Sequence, residues 1–144
     1  MSNVTRQIDI KASPSQVWRN LASQEALRGW LSADLEIDLQ VGGAYRMTGV
    51  DEKTEITGVV LELVPEGRIV LSWMETGSNW VHPAHLRIEL RPTVDGTRVL
   101  LTHGGFPGIG TATWQDTEAA YEAGVDRHKL LERLANVTDQ AHAA

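Results

Sequence analysis

The chain has 144 residues, a length that suits one domain and divides poorly into two. Its composition, 42% hydrophobic and 22% charged, allows a sizeable core, and its net charge of −6 argues against nucleic acid, which needs clustered Lys and Arg. With no Cys there is no disulfide framework, no thiolate catalysis and no Cys-ligated metal.

The first predicted element is a strand over 4–12, with Val4, Ile8 and Ile10 on one face and Thr5, Gln7, Asp9 and Lys11 on the other. The opening residues lack the apolar run of a signal peptide, and no stretch is long and apolar enough to cross a membrane, so the cytoplasm is the expected address. Ser13-Pro14 then starts a helix, with Ser13 as N-cap, Pro14 at N1, Gln16 at N3 and an apolar stripe of Val17, Trp18, Leu21 and Ala22. A second short helix is expected over 24–30.

From 33 to 103 the pattern becomes a meander of strands. Leu35, Ile37, Leu39 and Val41 alternate before the Gly42-Gly43 turn. Strands follow over 44–50, 55–64, 68–74, 81–91 and 97–103, divided by turns at 51–53, Pro65-Glu66-Gly67, Gly77-Ser78-Asn79 and Asp95-Gly96. Ile69, Leu71 and Trp73 share a face, as do Val99, Leu101 and His103. A Gly-rich loop over 104–110 reads as a flexible cover with Phe106 and Ile109 as its apolar contacts; it lacks the Lys-Ser/Thr ending of a phosphate loop. A helix over about 115–137 closes the fold, its stripe formed by Ala120, Ala123, Leu130, Leu131, Leu134 and Val137. One domain over 1–138 is expected, with a frayed tail over 139–144.

This order predicts an α+β fold in which six or seven antiparallel strands curve around one long C-terminal helix, with two short helices after the first strand. The helix carries Ala119, Ala120, Ala123 and Gly124 in its first half but Leu130, Leu131 and Leu134 in its second. Small side chains there leave volume under the helix, filled either by a ligand or by the rings of the five Trp, each worth roughly 200 Å² of surface.

Five motifs, in order, resemble the SRPBCC superfamily of START-like, helix-grip proteins, in the branch related to the activator of the heat-shock-protein-90 ATPase. They are Ile10-Lys11-Ala12-Ser13-Pro14 with Val17-Trp18; Leu27-Arg28-Gly29-Trp30-Leu31; Val41-Gly42-Gly43-Ala44-Tyr45-Arg46; Gly58 to Pro65 with Arg68 to Trp73; and Gly96-Thr97-Arg98-Val99 through Thr102-His103-Gly104-Gly105-Phe106. Two positions depart from the family pattern. Gly104 stands where the family usually has Glu. The Gly-Trp pair early in the last helix is absent too, replaced by Asp126-Arg127 without a gap or by Gly124-Val125 after a two-residue shift. The resemblance implies a helix-grip fold and, for many relatives, an apolar ligand in the cavity. It does not fix a function, because the fold hosts binders, cyclases, oxygenase subunits and co-chaperone domains.

Residues expected at a ligand are Trp30, Met47, Trp73, Trp80, His103, Phe106, Tyr121 and Arg127. His103 faces inward and either meets a ligand or is a core histidine bonded to its neighbours. Arg127 either meets a carboxylate (Glu55, Glu62 or Glu75) or an anionic head group, or lies at the stripe edge and reaches water. His82 and His85 point to opposite strand faces, so no metal pair is expected, and His128 and His142 are expected to face solvent. No nucleophile with a base is evident, and no catalytic residue or cofactor is assigned. The first reading is a binding domain for a small, mainly apolar ligand, as monomer or homodimer. A co-chaperone-like module and a cyclase- or hydrolase-type enzyme using His103 stand as alternatives.

Overall fold

A computed structural model describes residues 3–49 and 53–143. Seven strands form one antiparallel sheet in the order β1-β7-β6-β5-β4-β3-β2. They are β1 (Asn3–Ile10), β2 (Glu36–Ile37), β3 (Ala44–Thr48), β4 (Glu55–Val64), β5 (Arg68–Thr76), β6 (Ala84–Pro92) and β7 (Thr97–Gly104). Helices α1 (Pro14–Trp18) and α2 (Gln24–Arg28) follow β1, and α3 (Trp114–His128) and α4 (Leu130–Ala143) form the bent C-terminal helix. This is the α+β helix-grip architecture. The charged turn expected at Asp51-Glu52, the end of the third strand at Val50 and the outward placement expected of His142 lie outside the described residues.

Local chemistry accounts for each element. The α1 capping box forms, with Gln16 N donating to Ser13 Oγ at 3.2 Å and Ser13 N donating to Gln16 Oε1 at 2.8 Å. Helix α1 ends at Trp18, so Leu21 is buried from a turn and Ala22 is exposed. Strand β2 keeps only two of the residues expected from the alternation over 35–41. Gln40 N bonds to Asp38 O and Gly43 N to Gln40 O, which curls the chain away and leaves Val41 exposed.

Gly58 on β4 sits opposite Tyr45 of β3. A Cβ there would lie 2.2 Å from Ser72 O and 2.8 Å from the Tyr45 ring, so only glycine lets Tyr45 cross β4. Tyr45 Oη donates to Ser72 O at 2.5 Å, and Val59 N donates to Ser72 Oγ at 2.8 Å. A register shift between Val60 and Glu62 follows directly. Burial pushes the Tyr45 phenol well above its ordinary pKa, so it stays a neutral donor. Gly58→Ala is expected to destabilise the fold by about 1–3 kcal/mol through overpacking, measured by urea unfolding; an unchanged midpoint would show that the close approach of Tyr45 does not need glycine.

The C-terminal helix departs from expectation in phase and continuity. It breaks at Lys129, whose φ of 52° is left-handed, so α3 and α4 are separate segments. On α3 the half-buried residues are Trp114, Thr117, Glu118, Tyr121, Gly124, Val125 and His128, whereas Ala120 and Ala123 are exposed. The stripe is therefore phased on Tyr121 rather than on the alanines, and α3 contains no fully buried residue. Helix α4 buries Leu131, Leu134 and Thr138, and Asn20 Nδ2 donates to Thr138 Oγ1 at 3.1 Å. The segment expected to fray from 139 continues the helix to Ala143. No helix among the described residues is long and apolar enough to cross a membrane.

Candidate functional site

Between the concave sheet face and α3 lies a cavity of about 300 Å³, near the lower end of small-molecule pockets. Strand alternation places its walls. Val4 points in from β1, Met47 from β3, Ile56 from β4, Trp73 and Glu75 from β5, Leu86 from β6, and Leu101 and His103 from β7. The roof consists of Tyr121, Gly124, Val125 and His128, with Ala120 and Arg127 beside them. Gly124 contributes no side chain, and a Cβ on it would meet nothing nearer than His128 Cδ2 at 3.9 Å. The volume exists because two adjacent inward positions on α3 hold glycine and valine. These are the positions that the shifted match to the family's Gly-Trp pair would occupy.

His103 is a buried polar group on this mainly apolar wall. It is 7% exposed and ringed by aromatic groups, with centroids 4.7 Å from Trp73, 4.8 Å from Tyr121 and 5.0 Å from Phe106. Its Nε2 is buried without a hydrogen-bond partner. Burial pushes its pKa down to about 3, helped by repulsion from His85, so the ring is neutral at physiological pH. An imidazole that resists protonation this strongly is a poor general base but a good hydrogen-bonding partner for a neutral group.

Beside it runs a short polar relay. Trp73 Nε1 donates to Tyr121 Oη at 3.0 Å, and Tyr121 Oη donates to Glu75 Oε2. Glu75 Oε1 accepts from Ser78 Oγ at 3.1 Å. These contacts tie α3 to β5 across the cavity. At the other end of α3, Arg6 on β1 makes a bidentate pair with Asp126, at 2.8 Å to each oxygen, and lies 3.8 Å from Glu122.

Five of the eight expected residues come together here: Met47, Trp73, His103, Tyr121 and Arg127. Three do not reach the wall. Trp30 is fully buried elsewhere, its Nε1 donating to Asn20 O at 2.8 Å, so its polar edge is spent on the α1–α2 connection. Phe106 is fully buried behind the wall, stacked on Tyr121 at 5.3 Å, and Trp80 packs edge-on against both Phe106 and Tyr121. The Gly-rich loop is likewise no loose cover: it forms a 3₁₀ turn over Phe106–Ile109, and Ile109 O accepts from Val81 N at 2.7 Å and His82 N at 3.2 Å.

Arg127 sits exposed at the rim. None of its expected carboxylates pairs with it, because Glu55 lies by Arg46, Glu62 by Arg68 and Glu75 by Tyr121. His128, expected to face solvent, is half-buried at the mouth. The signals that would have found the missed residues are simple. Glu75 shares the face of Trp73 two residues earlier, and His128 lies seven residues after Tyr121 on the same helix face. At Gly104, a Cβ would fall 2.1 Å from Asn3 Oδ1, so the β1 side chain fills the space beside that backbone.

A family model, described as Activator of Hsp90 ATPase homolog 1-like protein, matches residues 11–136. No curated protein is significantly similar in sequence. Among solved structures, a protein from Mesorhizobium loti superposes with a TM-score of 0.78 at 18% identity, covering 96% of this chain and 97% of its own. An Aha1 protein from Colwellia psychrerythraea, a dimer in solution, gives 0.72 at 20% identity, covering 92% and 94%. A protein from Chromobacterium violaceum gives 0.72 at 24% identity, covering 95% and 96%.

Proposed function

The chain belongs to the Activator of Hsp90 ATPase homolog 1-like family, within the SRPBCC superfamily, and from that premise we propose that it binds a small, mainly apolar molecule between its sheet and α3. The observation that carries this reading is a mainly apolar cavity of about 300 Å³ walled in part by His103, whose Nε2 is buried without a partner. An orphan polar atom in a core costs about 1–3 kcal/mol of desolvation, and a ligand that bonds to it recovers that loss. Specificity then comes from a few polar groups, His103 among them, set in a mainly apolar wall, the arrangement typical of small-molecule sites. The neutral imidazole at the wall favours binding over catalysis.

Calorimetric titration with 2-naphthol, an apolar bicycle carrying one hydroxyl, is expected to give saturable binding with a negative heat-capacity change. Naphthalene, which cannot bond to His103, is expected to bind about tenfold more weakly. No saturable binding by either probe, together with no co-purifying molecule by native mass spectrometry, would overturn the reading. The family match supports a second one, a module that stimulates a heat-shock-protein-90-type ATPase. It is tested by adding the protein to purified chaperone, where an unchanged hydrolysis rate at equimolar protein would dismiss it.

A further inference from the structure

The cavity does not end at its rim. A second, more polar cleft of about 420 Å³ adjoins it and shares Leu31, Thr48, Gly49 and His128 with it. The second cleft adds Ser32, Asp34 and Arg133, and Arg127 stands at the rim of the first. A mainly apolar chamber thus lies next to a more polar cleft, with Arg127 on the wall of the first and Arg133 on the wall of the second.

The charges around this opening are unevenly committed. Asp34 is fully occupied: Oδ1 accepts from Thr48 N at 2.9 Å and Ser32 Oγ at 2.8 Å, and Oδ2 accepts from Thr48 Oγ1 at 2.5 Å. Those bonds hold its carboxyl down to a pKa of about 2, so it stays ionised while it fastens the α2–β2 loop to β3. Glu75 is engaged with Tyr121 and Ser78, and Asp126 with Arg6. Arg127 and Arg133, by contrast, form no ion pair among the described residues. Among the described residues, Arg127 on the cavity wall is thus a guanidinium that no carboxylate engages.

Resting on the ligand-binding reading above, we propose that the bound molecule is an amphipathic carboxylic acid. Its apolar body lies under α3, a hydroxyl or carbonyl meets the His103 imidazole, and its carboxylate sits at the rim against Arg127. His103 and Arg127 both line the cavity, and Arg127 lies six residues, about 9 Å of helical rise, beyond Tyr121, whose ring centroid is 4.8 Å from that of His103. A bicyclic acid substituted at its two ends has comparable length. Arginine suits the outer position because its planar fork can take a carboxylate with two parallel hydrogen bonds.

The test compares 2-naphthol, 2-naphthoate and 6-hydroxy-2-naphthoate against the native chain, Arg127→Ala and Arg127→Glu by calorimetry. The hydroxy acid is expected to bind tightest. Arg127→Ala is expected to weaken both acids about three- to tenfold, and Arg127→Glu to weaken them further, while neither moves 2-naphthol. Raising the salt concentration is expected to weaken the acids alone. If 2-naphthol binds but the acids gain nothing from Arg127, the carboxylate assignment falls and the apolar-ligand reading stands. If no probe binds, both fall. Arg127 is exposed, so the substitutions leave the fold intact, and circular dichroism checks this directly.

Discussion

Acidification from pH 6.5 toward 3 will weaken the fold by up to about 1.4 kcal/mol per pH unit through His103 alone, and His103→Leu will remove that slope. The sign follows from proton counting. Folded His103 has a pKa of about 3 against 6.5 in its ordinary state, so between these values the unfolded chain binds more protons. Stability from this residue is complete above pH 6.5, declines as pH falls through the window, and levels off below about 3. The carboxylates with lowered pKa act later. Asp34, at about 2 against 3.8, loses its contribution only below 3.8. A decline that begins near pH 6 is therefore the histidine's own signature.

Urea unfolding at pH 7, 6, 5 and 4 measures this directly. At neutral pH, His103→Leu is expected to match or exceed the native stability, because it replaces an unpartnered buried Nε2 with apolar atoms. The same substitution is expected to weaken 2-naphthol about tenfold. A stabilised protein that has lost its ligand would identify His103 as a group retained for recognition at the expense of packing. If the leucine variant keeps the acid slope, another buried group carries it.

Gly124 offers the complementary experiment. Glycine within a helix costs about 1 kcal/mol relative to alanine, and the space above it is open to 3.9 Å. Gly124→Ala is therefore expected to stabilise the protein by about that amount and to leave binding largely intact. Gly124→Trp puts an indole into a cavity of about 300 Å³ and is expected to abolish probe binding while the protein stays folded. Native-like affinity in the Trp variant would place the ligand elsewhere on the molecule.

The sheet was the most legible part of the molecule, because strand alternation has a fixed period of two. Once Ile69, Leu71 and Trp73 are read as one face and Val99, Leu101 and His103 as another, the pairing of β5 and β7 with β6 between them puts both sets on the same side of the sheet, where the Trp73 and His103 rings meet. The Ser13-Pro14-Gln16 start of α1 was equally plain, since each residue type answers one unsatisfied backbone group. The C-terminal helix was harder to read. Alanine fits a buried or an exposed face almost equally well, so Ala120 and Ala123 could not fix the phase that Tyr121 and Val125 set. The break at Lys129 has no glycine or proline to announce it. Counting indoles was misleading for a similar reason. Trp30 and Trp80 bury comparable surface whether they face a ligand or a neighbouring side chain, and only the folded chain decides which.

The break at Lys129 separates two duties that a continuous rod would join. Helix α4 secures the domain through Leu131, Leu134 and Thr138, whereas α3 rests on half-buried contacts, the Arg6 clamp and the Tyr121 hydroxyl. Hydrogen exchange is therefore expected to be faster in α3 than in α4, because α3 has fewer buried contacts to hold it closed.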